Sequence, residues 1–248
     1  MGKNSFLFPQ QNHLEIVKGC LAEMNGADSF KSTVKKDGVW EASIHSSSGA
    51  VFEKATVALV EVCGGSVEGA PTDITLLQSF AWPVNPHTPG MIIMASASST
   101  EGADPIITFY TDLIIQNKSV RQEDKDSFSA ELAAACQLHG QDIAEYQALM
   151  VGRGMLGECA AECGMLYFFE QSDAALLADL LQAPLKAYTR IIGSAAAAPA
   201  PGDFAAMKIN RKKIIDWMIT QDYGFKVSRQ NNIPMEVIEA YGFPPIDS

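Results

Sequence analysis

Long apolar runs are missing from this sequence. No stretch approaches the ~18 consecutive apolar residues that a membrane-spanning helix requires. The first residues, Met1 to Phe6, have neither a long apolar core nor a small-residue cleavage site of the kind found in secretory signals. From these two absences we expect a cytoplasmic protein with no membrane partner.

Positive charge is also scarce. The chain has 18 lysines and arginines against 29 aspartates and glutamates, which gives a formal net charge of -11. Nucleic acids and anionic membrane surfaces both require a basic face on the protein that binds them. The charge balance therefore argues against nucleic acid as a partner and against an anionic membrane.

Paired cysteine motifs and histidine clusters are absent too. The five cysteines include no CxxC pair, which favours buried thiols in a reducing compartment over a disulfide framework. Cys159 and Cys163 are spaced to share a helix face, but zinc normally needs four ligands and no histidine accompanies them. The four histidines form neither HxH nor HExxH. We therefore expect no metal.

The segment from Ser79 to Asp112 stands out among the features that are present. It reads as a strand, the proline-rich turn Trp82–Pro89, further strand and then an acid. Prolines fix their own backbone and restrict the preceding residue, so this turn holds His87 at a defined place. A carboxylate at the end of an apolar run is costly to bury unpaired. Asp112 is therefore either a satisfied structural acid or a functional one.

Hydrophobic periodicity predicts strands in the first half of the chain and helices in the second. Because the strands are not interleaved regularly with helices, we predict one α+β domain over residues 1–248 with a large antiparallel sheet. The helix at 124–139 should pack across one face of a contiguous sheet over 30–115. The predicted elements are a helix at 9–25, a hairpin at 30–44, a long strand at 51–62, helices at 124–139 and 143–150, and a strand at 165–169.

The last third of the chain gives weaker patterns. Ser172 or Asp173 should cap a helix over Ala174 to Leu181, and Pro184 should either kink that helix or start another. An alanine- and proline-rich segment at 195–202 is typical of a linker. The remaining predictions are a helical stretch at 204–207, a β-rich stretch at 213–220, a turn at 222–224 and a final helix near 235–240.

Several short motifs in the same order resemble the aerobic, oxygen-dependent coproporphyrinogen III oxidase family. That family has stretches that read approximately VFEKA, NPHAP, CDLTP and QED, followed by a helix that ends in ACxxHG. The resemblance spans nearly the whole chain, although no single motif is specific. The matching stretches here are Val51–Ala55, Asn85–Pro89, Thr111–Leu113, Gln122–Asp124, Ala135-Cys136 with His139-Gly140, Phe168-Phe169, Asp222 with Gly224, and Pro244-Pro245.

The resemblance implies a large flat sheet sandwiched between helices, a homodimer, and a cleft over the sheet. It also implies cofactor-independent oxidation by dioxygen of a porphyrinogen, as in porphyrin and heme biosynthesis. Asp112 aligns with the proposed base, and His87 is its expected catalytic companion. A base should lie in the cleft, within one water-bridged distance of His87 or of the basic segment 211–213. The expected substrate-binding residues are Asn85, Ser96, Arg211 and Lys213.

The chain departs from the family where the substrate's four carboxylates are held by arginines. Ser96 stands where one arginine is expected, and Ala161 and Glu162 occupy the place of an arginine pair, in an uncertain register. Trp82 and Cys63 replace two family histidines. Each lost charge-assisted hydrogen bond costs about 1.5–3 kcal/mol, so binding of a tetra-anion should be much weaker.

Two functions follow as alternatives. The first is an oxidase or oxidative decarboxylase that acts on a porphyrinogen or a less anionic pyrrolic substrate. The second is a non-catalytic protein that binds a tetrapyrrole or another small molecule. Retention of Asn85, His87 and Asp112 favours the enzyme, whereas loss of the arginines favours the binding protein.

Overall fold

A seven-stranded antiparallel β-sheet forms the centre of the computed structural model, which describes residues 10–26, 30–101, 103, 105–169, 174–194 and 200–246. The strands follow one another across the sheet in chain order, so each pairs with its sequence neighbour. The predicted α+β class and the contiguous sheet over 30–115 are confirmed. The strands are β1 Lys31–Asp37, β2 Trp40–Ser47, β3 Phe52–Val67, β4 Ala70–Pro83, β5 Gly90–Thr100, β6 Ile106–Ile114 and β7 Met165–Phe169.

Helices cover both faces of this sheet. Within the described residues they are α1 Gln11–Asn25, α2 Gln122–Leu138, α3 Ile143–Gly152, α4 Ala174–Gly193, α5 Pro201–Thr220, α6 Tyr223–Gln230 and α7 Met235–Tyr241, with a short 3-10 helix at Gly157–Cys159. None of the described helices is both long enough and apolar enough to span a membrane.

One face of the sheet, called here the α4 face, packs against α1, α2 and α4. Side chains alternate between the two faces along a strand, so Ile93 and Phe109 point to this side while their neighbours point to the other. Leu14, Phe128 and Leu180 meet them in one fully buried cluster. The prediction that the helix at 124–139 packs across the sheet is confirmed.

The opposite face, called here the α5 face, is covered by α5, α6 and α7. The predicted β-rich stretch at Lys213–Thr220 is wrong, because these residues form the second half of α5. Ile214 and Met218, four residues apart, lie on one side of the helix and are buried against the sheet. Burial of this helical stripe overrides the strand preference of the local β-branched and aromatic residues.

The other predictions for the last third of the chain have different outcomes. Pro184 lies inside the continuous helix α4, so no new helix starts there. Asp222 does not simply begin a turn, because its side chain accepts a hydrogen bond from the Phe225 N–H and caps α6. The proposed caps Ser172 and Asp173 and most of the predicted linker, residues 195–199, lie outside the described residues, while Pro201 and Gly202 belong to α5.

Candidate functional site

A cavity of about 820 Å³ lies between the α5 face of the sheet and the helices above it. Its floor consists of rungs, which are rows of directly opposed residues on neighbouring strands. One rung runs Leu76, Ser96, Thr108 and Phe168 from β4 to β7. Val60 on β3 lies opposite Leu76 and extends this rung by one strand. The neighbouring rungs contribute Val62, Ile74, Ser98, Ile106, Thr72 and Thr100.

Small side chains on β5 and β6 leave this space open. Ser96, Ser98, Thr100 and Thr108 occupy the floor positions at the centre of the cavity. Bulkier side chains at these positions would fill the gap between sheet and helices, as bulky residues do farther along the same strands. The small side chains of Ser96 and Ser98 thus leave room above the middle of the sheet.

The roof comes from the C-terminal helices and from the turn after α3. Trp217 of α5, Gln221 just after α5 and Val227 of α6 line the roof, and Met155 closes the side near β7. Gly224 lies so close to the floor that a Cβ built on it would be 4.0 Å from Leu76 Cδ2. The cavity is therefore mostly apolar, with isolated hydroxyl and amide groups.

Two charged side chains line the cavity among the described residues, Arg153 and Asp222. Asp222 is 8% exposed, and burial raises the pKa of its carboxyl to about 6, against the opposing effect of hydrogen bonds from the backbone of Phe225 and Gly224. A buried acid with a pKa near neutrality is suited to proton transfer or to accepting a hydrogen bond from a ligand.

Arg153 lies at the β7 side of the cavity. It ends α3, and the left-handed backbone of Gly154 (φ +61°) turns the chain immediately after it. The guanidinium carbon sits 5.8 Å from the centre of the Phe168 ring, within the range of a cation–π contact. Arg153 is exposed to solvent and also lines the cavity.

Asp112 points to the α5 face but does not line the cavity. It is fully buried, and its carboxylate accepts hydrogen bonds from the backbone N–H groups of Leu113, Glu162, Cys163 and Gly164 at 2.9–3.2 Å. The Cys163 thiol adds a contact at 3.4 Å. Burial nevertheless raises the pKa of this carboxyl to about 6, because desolvation outweighs these hydrogen bonds.

This arrangement makes Asp112 the anchor of the loop before β7. The loop approaches so closely that a Cβ on Gly164 would lie 1.8 Å from the Thr111 carbonyl oxygen, so glycine is required there. None of the hydrogen bonds of Asp112 involves His87 or Arg211. The expectation that its carboxylate lies in the cleft is wrong for this cavity, because the 162–164 backbone encloses the carboxylate.

Arg211 was expected to bind substrate, but its side chain is 1% exposed and lies inside the protein. The guanidinium donates to Gln116, to Glu53 at 2.6 Å and to the carbonyl oxygens of Pro83 and Pro245. Five hydrogen bonds use all five donors of an arginine. Arg211 thus ties α5 to the end of β4 and to the C-terminal segment, and it has no donor left for a ligand.

His87 and Asn85 organise the turn between β4 and β5. The Asn85 side chain accepts a hydrogen bond from the His87 N–H at 2.9 Å, and His87 Nε2 lies 3.0 Å from Asp203 Oδ2 at the start of α5. Lys213 is exposed and pairs with Glu158 at 2.8 Å. None of these three predicted residues lines the cavity. Of the three, His87 and Asn85 are half-buried, and Lys213 lies at the surface.

Ser96 is the one predicted site residue that lines the cavity. Sequence reasoning missed Arg153, Trp217 and Asp222 as site residues. Arg153 had a usable signal, because glycines on both sides of a single arginine after a predicted helix mark an exposed turn. No sequence signal marked Trp217 as a site residue, because the helical segment that presents it to the cavity was predicted to be a strand.

Two further polar features complete the α5 face. The Tyr110 hydroxyl and Trp82 Nε1 are buried without a hydrogen-bond partner in the described protein. Burial raises the pKa of Tyr110 well above its usual value, and the nearby Asp112 and Asp222 carboxylates add to that effect. Among the described residues, no three His, Cys, Asp or Glu side chains are grouped so that they could hold a metal ion.

The chain matches no known protein-family model, and no curated protein is significantly similar to it in sequence. The resemblance to coproporphyrinogen III oxidase therefore remains a prediction, and the functional argument depends on the geometry of the cavity.

Proposed function

We propose that this protein binds a small, largely apolar organic molecule in the cavity between the sheet and α5–α6. The observation that carries the proposal is a space of about 820 Å³ whose walls are mostly apolar and whose polar groups are few and separate. Small-molecule sites commonly have volumes of ~300–1,000 Å³ and this type of lining. An aromatic or polycyclic ring system would be desolvated by Trp217, Met94 and the valines of β3.

A tetrapyrrole or related pyrrolic molecule is the predicted ligand class, by the resemblance described above. The charge of the cavity favours a ligand with fewer anionic groups than coproporphyrinogen III. Its described lining carries one arginine and one carboxyl, whereas a tetra-anion would require several cations. The total charge of -11 adds long-range repulsion at low salt.

Titration with the neutral fluorescent probe N-phenyl-1-naphthylamine tests the binding function. Ser98→Leu places a bulky side chain on the cavity floor, and we expect it to weaken probe binding by about tenfold or more. Ser99→Leu is the matched control, because the adjacent residue on the same strand points to the α4 face. We expect Ser99→Leu to bind the probe like the wild type.

Failure of the wild type to bind the probe would refute the proposal. Equal weakening by both leucine variants would also count against it, because the effect would then not be specific to the cavity. Mass spectrometry of molecules retained from the producing cells would identify the natural ligand class.

Cofactor-independent oxidation by dioxygen is the second candidate function, and Asp222 is the observation that favours it. This acid borders the cavity, and its pKa of about 6 lies in the range useful to a general base. Anaerobic titration with coproporphyrinogen III, followed by admission of oxygen, separates the two candidates. We expect binding weaker than micromolar. Micromolar or tighter binding, followed by conversion to protoporphyrinogen, would favour the oxidase if Asp222→Asn abolished the conversion.

The predicted homodimer is a separate expectation. Light scattering of the purified protein checks it directly, and neither candidate function requires it.

A further inference from the structure

The two charged groups of the cavity lie at different places along one rung of the sheet. Arg153 sits over Phe168 on β7, and Gly224, two residues after Asp222, sits over Leu76 on β4. Leu76 and Phe168 belong to the same rung and are separated by three strand spacings, which corresponds to ~14 Å. The cavity therefore has a cationic end and an acidic end.

The guanidinium of Arg153 has donors available for a ligand. Arg121, Arg190 and Arg211 all form ion pairs with carboxylates of the protein. Arg153 forms none with any residue in the described part of the chain, and its contact with Phe168 engages the ring face without using its N–H groups. Guanidinium groups bind carboxylates through two parallel hydrogen bonds, so this side chain is suited to receive one.

The rest of the cavity restricts where an anionic group can go. The floor between the two ends carries only the hydroxyls of Ser96 and Thr108 on the shared rung, which offer no positive charge. At the β4 end, the Asp222 carboxyl repels an anion and can accept a hydrogen bond instead. A ligand with one carboxylate is thus favoured in a single orientation, with that group at β7.

We propose that Arg153 is the specificity-determining residue of the cavity and selects an amphipathic monocarboxylate, whose apolar body lies along the Leu76–Phe168 rung toward Asp222. This inference depends on the proposed binding function and adds the ligand's charge and orientation to it.

A matched pair of fluorescent probes tests the selection. 1-Pyrenebutanoate and 1-pyrenebutanol share the same apolar body and differ in their terminal carboxylate or hydroxyl group. We expect the wild type to bind the carboxylate about tenfold more tightly than the alcohol, and Arg153→Gln to abolish that preference by weakening binding of the carboxylate more than binding of the alcohol. Arg153→Lys should retain part of the preference, because it keeps the charge but loses the planar fork.

Arg190→Gln is the control variant. It removes the same charge from an exposed arginine on α4, which covers the other face of the sheet, and should leave both affinities unchanged. Raising the salt concentration should reduce the wild-type preference, since the site is open to solvent. Thermal melting of each variant reports whether the fold is intact.

The outcomes separate this inference from the function it depends on. Equal wild-type affinity for the two probes, or a carboxylate preference that survives Arg153→Gln, overturns the role of Arg153 while leaving the cavity a binding site. Binding of neither probe, together with no binding of N-phenyl-1-naphthylamine, overturns both.

Discussion

The two ends of the α5 face are built on the same strands but differ in what fills them. At one end, Phe80, Trp82, Ile92 and Tyr110 pack into a buried cluster with Ile214 and Met218 of α5. At the other end, the corresponding positions on β5 and β6 carry serine and threonine, and the space above them is the cavity. Side-chain size at alternate positions thus decides where this sheet is solid and where it can hold a ligand.

The same contrast separates the two buried acids. Asp112 belongs to the packed end, where backbone N–H groups surround it and no ligand can reach it. Asp222 belongs to the hollow end, where it caps α6 and borders the cavity. Burial raises both pKa values to about 6, so a raised pKa alone does not distinguish a structural acid from one that can meet a ligand.

The largest effect on stability is expected from removing a large side chain at the packed end of the α5 face. Phe80 stacks on Trp82 with ring centres 5.5 Å apart, and Phe80→Ala should lower the free energy of unfolding by about 3–5 kcal/mol because it leaves a void among tightly packed groups. Leu76→Ala is the comparison, and it should cost about 2 kcal/mol because one side of Leu76 already faces the cavity. Urea unfolding measures both. Equal losses would show that the two ends are packed alike.

A smaller difference is expected between the two acids. Asp112→Asn should lower the free energy of unfolding by about 3 kcal/mol, because the amide group places its own donors against backbone N–H groups and leaves some of these buried donors without an acceptor. Asp222→Asn should cost less than about 1 kcal/mol, since asparagine caps helices nearly as well as aspartate. A stable Asp112→Asn protein that has lost oxygen consumption on a pyrrolic substrate would instead restore the catalytic assignment.

The last effect concerns pH. Each acid has a folded-state pKa of about 6 against an ordinary value of 3.8, so the folded state holds the proton more tightly than the unfolded state. The resulting stabilisation is fully present below the ordinary pKa and is lost as the pH rises through 6. A pKa that is higher by about two in the folded state corresponds to roughly 2–3 kcal/mol in the free energy of unfolding for each group.

Urea unfolding between about pH 4 and pH 7.5 checks this sign. The wild type should lose stability over that interval, and Asp222→Asn should lose roughly 2 kcal/mol less because one of the two groups no longer titrates. A wild type that becomes more stable over the interval would show that the hydrogen bonds to the carboxylates outweigh burial.

Local pattern was sufficient to predict most of the fold. The alternation and turn residues within Phe30–Ile44 predict a hairpin, and the structure contains it as β1 and β2. The apolar stripe of Phe128, Leu132 and Cys136 predicts a helix, and these residues are buried on α2. The prediction failed at Lys213–Thr220, where β-branched residues have a local preference for strands. Their helical conformation depends on burial against strands that lie far earlier in the chain.

The site was less predictable for the same physical reason. The apolar run before Asp112 indicates a costly buried charge that must find partners, whereas nothing in the sequence indicates that Arg211 is buried and paired as well. Only the tertiary structure decided that those partners are backbone N–H groups and neighbouring side chains, which leaves neither residue available to a ligand. The sequence likewise determined the small side chains of Ser96 and Ser98, but the cavity exists only because α5 and α6 cross above them without filling the space.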